Sequence, residues 1–137
     1  MIKPDVNYSM IASYCKKYVK DIEAVYVFGS QVAGYAHKDS DVDIAILCAG
    51  SFSEDVSWEL SQGLAIVLNK DVDIVDLRQA STVMQWQIIR TGERIFCADE
   101  KQISFFETYV FSDYVRLNEL RLDLLQDIKQ RGSIYGG

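Results

Sequence analysis

Three aspartates and a Gly-Ser pair are the residues of this chain whose types and spacing could do chemistry. Asp41 and Asp43 flank Val42, in a segment whose alternation predicts a strand with both carboxylates on one face. Their Cα atoms are then roughly 6.6 Å apart, close enough to bind hard cations such as Mg²⁺, whose open positions take phosphate oxygens. Without a cation, like charges this close repel and raise each other's pKa.

A further aspartate, Asp73, lies in the apolar segment DVDIVDL over residues 71–77. If this predicted strand pairs with that of Asp43, about 4.8 Å away, Asp73 joins the cluster. Asp71 shares the face of Asp73 and Asp76 lies on the opposite face, so the residue pattern leaves the choice open. We prefer Asp73 because it lies in the body of the strand, and we expect exposed strand-end positions for the other two.

The pair Gly29-Ser30 ends an apolar strand predicted over residues 24–28. Glycine lets the backbone approach a phosphate closely, and exposed N–H groups with a hydroxyl bind phosphate oxygens. A Gly-Ser pair alone says little, but ten residues before Asp-x-Asp it is a specific pattern. His37 and Lys38 lie between the two halves, and we expect exposed loop positions for both.

The elements that must position these residues follow from hydrophobic periodicity. The pattern predicts helices over residues 5–20, 79–91 and 100–131, a helix from a Ser51–Glu54 capping box to Asn69, and strands over 24–28, 41–47, 71–77 and 94–97. This order indicates an α/β (α+β) fold in a single domain over residues 1–137, with a small mixed sheet and helices packed on one face.

The C-terminal helical segment, residues 100–131, is longer than the domain that carries it. Thirty residues span about 45 Å, whereas a domain of this size is about 30–35 Å across. The helix therefore overhangs, or it breaks near Ser112-Asp113. We expect Gly132 to end it, with a frayed tail over 133–137. The positions expected to face inward are Ile103, Phe106, Val110, Leu117, Leu120, Leu124 and Ile128.

Composition excludes several classes of function. The chain has 14 Lys+Arg against 20 Asp+Glu, a net charge of −6, which is poorly suited to direct nucleic-acid binding. No apolar segment approaches the length of a membrane span. The three cysteines form no C-x-x-C pair, so no zinc site is indicated, and free thiols fit a reducing cytoplasm.

Together, Gly29-Ser30, Asp41-Val42-Asp43 and the later Asp73 resemble the nucleotidyltransferase fold of the DNA polymerase β type. The small size resembles the minimal nucleotidyltransferases. The C-terminal helix, with FFETY over residues 105–109, further resembles MntA-type antitoxins, whose partners are HEPN-domain RNase toxins of the HepT type.

The resemblance implies a metal-dependent transfer of AMP from ATP to a tyrosine of such a toxin, within a hetero-oligomeric complex. It implies that Gly29 and Ser30 hold the ATP phosphates and that Asp41 and Asp43 bind two Mg²⁺ ions. It further implies that Asp73 binds the catalytic ion and helps to take the acceptor proton.

Two other functions stay open at this point. The chain could neutralise a toxin mainly by stoichiometric binding through its helices. It could instead modify a small molecule such as an antibiotic, although such enzymes generally need a further domain or a dimer cleft for the acceptor. A polymerase or tRNA-tailing role is least favoured because of the negative charge.

Overall fold

The computed structural model describes residues 7–29 and 41–135. The elements are α1 (Tyr8–Tyr18), β1 (Ile22–Phe28), β2 (Val42–Cys48), α2 (Glu54–Leu68), β3 (Val72–Asp76), a 3₁₀ turn (Leu77–Gln79), α3 (Thr82–Thr91), β4 (Glu93–Cys97) and α4 (Glu100–Tyr135). Each predicted helix and strand has a counterpart among them, with bounds shifted by a few residues.

The four strands form one mixed sheet in the order β3-β2-β1-β4. β1 pairs antiparallel with β2 and with β4, and β2 pairs parallel with β3. The two central strands are buried along most of their length, and the two edge strands are shorter and less buried. The predicted α/β class and the small mixed sheet are confirmed.

Helices pack on both faces of this sheet. One core joins β1 and β2 to α1 and α2; its buried members include Ile11, Cys15, Val25, Val27, Ile44, Ile46, Leu60 and Leu64. The second core joins the same strands to α3 and the first turns of α4; its buried members are Ala24, Tyr26, Ala45, Leu47, Leu77, Ile88 and Ile103. The predicted placement of helices on one face is therefore wrong, because Ala45 and Leu47 make the second face of β2 apolar beyond its aspartates.

Side-chain caps fix where the first two helices begin. Asn7 accepts a hydrogen bond from the backbone N–H three residues later, at 3.1 Å, and Ser53 does the same at 3.2 Å. α1 thus begins after Asn7 rather than near residue 5, and Ser53, not Ser51, caps α2. The predicted end of α2 is confirmed at Asn69, which adopts the left-handed conformation that asparagine tolerates.

The last helix, α4, is continuous over 36 residues and spans about 54 Å at 1.5 Å per residue. It does not break at Ser112-Asp113, and it does not end at Gly132. The tail predicted to fray over 133–137 is helical as far as Tyr135, and residues 136–137 lie outside the described part. Within residues 7–29 and 41–135, no helix of sufficient length is apolar enough to cross a membrane.

Only the N-terminal part of α4 lies against the body of the protein. Ile103 and Val110 are buried and Phe106 is partly buried, as predicted. Leu117, Leu120, Leu124 and Ile128, which were expected to face inward, are exposed, Leu120 to 60%. The helix therefore overhangs, because it is longer than the sheet that supports it.

A buried tyrosine anchors α4 to the sheet. The Tyr26 hydroxyl donates a hydrogen bond to the Glu107 carboxylate at 2.7 Å. Arg94 of β4 forms ion pairs with Glu107 at 3.4 Å and with Glu100 at 2.8 Å. Burial, followed by the hydrogen bond to Glu107, raises the pKa of Tyr26, so the phenol remains a proton donor.

Replacing Tyr26 with phenylalanine tests this anchor. We expect the free energy of unfolding to fall by about 1.5–3 kcal/mol, because a hydrogen bond to a charged acceptor is lost. Tyr109→Phe is the matched control, since Tyr109 lies on the same helix and is exposed. Urea denaturation measures both, and equal stabilities for the two variants would contradict the anchoring role.

Candidate active site

The parallel pairing of β2 with β3 brings two of the predicted aspartates side by side. Asp43 and Asp73 are direct partners in the register, and the Val42 N–H donates to the Asp71 carbonyl at 2.9 Å where the pairing begins. Adjacent strands are about 4.8 Å apart, and partners in register project to the same face. That face is the one covered by α3 and α4.

Asp43 is the centre of a group of like charges. Asp41 immediately precedes β2 and lies two residues away, so it projects to the same side of the chain. Burial raises the pKa of Asp43, and the nearby charges of Asp73 and then Asp41 raise it further. Asp41 and Asp73 are exposed, and the site is therefore open to solvent on its outer side.

Gly29 borders the same carboxylate from the other neighbouring strand. Phe28, the last residue of β1, is the register partner of Asp43, and Gly29 follows with φ of +80°. A Cβ added at Gly29 would lie 3.2 Å from the Cγ of Asp43 and would overlap an oxygen of its carboxylate. Glycine is required here for its left-handed backbone and for the space that Asp43 occupies, in addition to any approach of a phosphate.

A cavity of about 460 Å³ adjoins this end of β1. We call it the α3 cavity, because most of its wall comes from that helix. It is lined by Phe28, Gly29, Met84, Gln87, Ile88 and Thr91. The four residues from α3 belong to none of the sequence motifs. Their helical periodicity indicates only that one side of the helix faces the core.

Comparison with known proteins places the chain in a family. The Polymerase beta, Nucleotidyltransferase family matches residues 9–101. The chain belongs to this nucleotidyltransferase family. It is also 33% identical over 123 residues to Protein adenylyltransferase MntA of Shewanella oneidensis, covering 90% of this chain and 88% of that protein.

Solved structures of toxin–antitoxin complexes contain similar chains. One, crystallised with AMP-PNP, has 33% identity and a TM-score of 0.81, covering 90% of this chain and 99% of the other. Another comes from tri-AMPylated Shewanella oneidensis HEPN toxin in complex with MNT antitoxin; it has 30% identity and a TM-score of 0.74, covering 89% and 95%. These similarities confirm the predicted nucleotidyltransferase fold and the resemblance to MntA-type antitoxins.

The aspartates provide the type of ligand that Mg²⁺ prefers. Their side chains are oxygen donors. Burial and then the charges of Asp73 and Asp41 raise the pKa of Asp43, and a divalent cation would neutralise that local negative charge. Within the described ranges, however, no three acidic, histidine or cysteine side chains converge on one point that could hold a metal ion. The donor chemistry therefore fits the cation, while the arrangement of three ligands around it stays a prediction.

The remaining candidate residues separate into two groups. Ser30, His37 and Lys38 lie outside the described residues. Asp76 lies at the far end of β3 and accepts a hydrogen bond from the Arg78 N–H at 3.2 Å, which caps the 3₁₀ turn. Asp71 precedes β3 and is exposed. Both residues lie at strand ends, as expected, but Asp76 is partly buried rather than exposed.

Gly29→Ala tests the steric coupling between this glycine and Asp43. We expect the free energy of unfolding to fall by about 1–2 kcal/mol, because a side chain is strained at positive φ, and we expect Asp43 to be displaced. Gly50→Ala is the control, since open space surrounds Gly50. Thermal melting of both variants gives the result; if Gly29→Ala is as stable as Gly50→Ala, the proposed crowding is absent.

Proposed function

We propose that this chain is an antitoxin that transfers AMP from ATP to a tyrosine of a cognate HEPN-domain toxin and so neutralises it. The observation that carries the proposal is the pairing of Asp43 with Asp73 beside Gly29. It occurs in a chain that is similar to an MntA adenylyltransferase over 90% of its length. The complexes with AMP-PNP and with an AMPylated toxin support ATP as substrate and the toxin as acceptor.

The predicted residues divide into those that bind the nucleotide and those that would bind the cation. Gly29 and Ser30 bind the ATP phosphates through backbone N–H groups and a hydroxyl. Asp41, Asp43 and Asp73 would hold Mg²⁺, which when bound would neutralise phosphate charge and activate the attacking oxygen. The position of Asp73 on the exposed edge strand β3 suits a residue that must meet an acceptor arriving from outside.

The transfer exchanges one bond to phosphorus for another. The tyrosine oxygen forms a bond to the α-phosphorus of ATP, and the bond from that phosphorus to the oxygen bridging the α- and β-phosphates breaks. Pyrophosphate leaves with the electron pair. The phenol has a pKa near 10, so its proton must be removed during attack, and Asp73 helps to take it.

The cellular compartment fits this reaction. The three cysteines of the chain are free, and Cys15 and Cys48 are buried. Free thiols are typical of a reducing compartment. We therefore place the protein in the cytoplasm, where ATP is available.

Changing Asp41→Asn together with Asp43→Asn tests the catalytic assignment. We expect nucleotidyl transfer to be abolished, because cation ligands are lost, while the melting temperature stays the same or rises slightly, because like-charge repulsion is removed. Label transfer from ATP to the toxin and thermal melting measure the two effects.

The matched control for this variant is Asp55→Asn together with Glu59→Gln. Both residues are exposed on α2, and this double variant also removes two negative charges. Transfer that persists in the Asp41/Asp43 variant at the control rate would overturn the active-site assignment.

The overhanging half of α4 is the surface that we assign to toxin binding. Leu117, Leu120, Leu124 and Ile128 recur every three or four residues and so lie along one side of the helix. This exposed stripe continues the side on which Ile103 is buried. An apolar stripe of this kind, with charged residues around it, fits the apolar side of a partner helix, and it also favours neutralisation by binding as a second mechanism beside AMPylation.

Replacing Leu120 and Leu124 with glutamate tests this surface. We expect the complex with the toxin to be lost and AMP addition to fall, while thermal stability is kept because both side chains are exposed. Co-expression, size-exclusion chromatography and mass spectrometry of the toxin's tyrosines report the outcome. Ile66→Glu with Val67→Glu is the control, since both are exposed on α2; if both double variants form the complex equally well, α4 is not the docking surface.

A further inference from the structure

The α3 cavity has apolar walls and a polar rim. Phe28 and Met84 are partly buried and Ile88 is fully buried, so they form a hydrophobic floor. Gln87 and Thr91 are exposed at the opening. A volume of about 460 Å³ falls within the range of roughly 300–1,000 Å³ that small-ligand sites occupy. A flat, mainly apolar group with polar atoms at its edge matches this lining.

The strand order indicates which of the two substrates, the nucleotide or the acceptor tyrosine, lies beside the cavity. Asp43 on β2 lies between Asp73 on β3 and Phe28 on β1. The α3 cavity is on the β1 side, next to Gly29, whereas Asp73 is on the β3 side. With the acceptor tyrosine arriving at Asp73, the cavity on the Gly29 side is left for the nucleotide.

The wall of the cavity is fixed before any ligand enters. At Gly92, which caps the C-terminus of α3, an added Cβ would lie 2.5 Å from the Ile88 carbonyl oxygen and 3.2 Å from that of Val27. α3 is thus pressed directly onto the end of β1. On its other side Trp86 packs against Phe111 of α4, with ring centroids 5.0 Å apart. A preformed site of this kind does not lose binding free energy to ordering.

Gln87 is the polar side chain of the rim that suits recognition of a base. The Thr91 hydroxyl already donates to the Gln87 backbone carbonyl at 2.6 Å. The Gln87 amide presents a donor and an acceptor side by side. Adenine presents a donor at N6 beside an acceptor at N7, which a glutamine amide pairs at both atoms, whereas guanine presents two acceptors, O6 and N7, at the same edge.

We propose that the α3 cavity binds the adenine ring of ATP and that Gln87 reads the edge of the ring, which makes it the residue that selects ATP over GTP. This inference rests on the proposed adenylyl transfer, since it names the base subsite of the same reaction. It concerns binding of the base alone, and the hydrophobic floor supplies the remaining contacts by packing against one face of the ring.

The test measures ATP and GTP binding by calorimetry with Mg²⁺ present, on the full chain and on Gln87→Leu. We expect ATP to bind about tenfold more weakly to the variant, as loss of a two-point contact to a base implies. GTP affinity is expected to stay unchanged, so that the preference for ATP shrinks by the same factor. Gln87→Glu keeps the shape of the side chain but removes the donor, and it should lose ATP affinity as well.

The control is Gln62→Leu, because Gln62 is exposed on α2 and the chemical change is the same. An unaltered ratio of ATP to GTP affinity in Gln87→Leu overturns the inference, as does a wild-type chain that binds both nucleotides equally. AMP addition to the toxin by the wild-type chain is scored separately. If it occurs while the Gln87 variants bind ATP normally, the inference fails and the proposed function stands.

Discussion

Repulsion among Asp41, Asp43 and Asp73 is the constraint around which this end of the molecule is built. Three carboxylates at the start of two parallel strands cost free energy, because partial burial of Asp43 strengthens the repulsion between its charge and those of Asp41 and Asp73. The sheet must therefore hold these strands together by other means. The buried length of β2, from Val42 to Cys48, supplies them: the apolar side chains on its two faces are tied into two separate cores.

The same constraint explains why the site lies where it does in the sheet. The aspartates occupy the face that α3 and α4 cover, but at the end of β2, while Ala45 and Leu47 further along that face are buried. Small and apolar residues thus replace the aspartates on this face from the second residue after Asp43 onward. A carboxylate in place of Ala45 would be buried without a partner, whereas Asp43 keeps access to solvent and to a cation.

The sequence predicts the arrangement of the aspartates better than it predicts what surrounds them. Strand periodicity places Asp41 and Asp43 on one face. Asp73 was expected beside them only if the two strands pair, and the structure shows that they do. Burial of the second face of β2 was missed because two aspartates dominate the alternation on that face. The position of α3, which covers this face, was missed for the same reason. The cap at Ser53 was missed because Ser51, three residues before Glu54, matches the capping-box spacing, whereas Ser53 is followed at that distance by Val56. For Leu117 and Leu120, periodicity identifies an apolar side of the helix but cannot say whether the sheet extends far enough to cover it.

The continuity of α4 has a consequence for reach. Its first turns are held by Glu107 and Arg94, and beyond Val110 the backbone continues as an unbroken helix with a rise of about 1.5 Å per residue. A partner bound near Leu124 would then be held roughly 25 Å along the helix from Glu107. Under the proposed function, this fixed distance would limit which tyrosines of a bound toxin can reach the aspartates. Selection of the modified residue would in this way depend on helix length rather than on the sequence around the tyrosine.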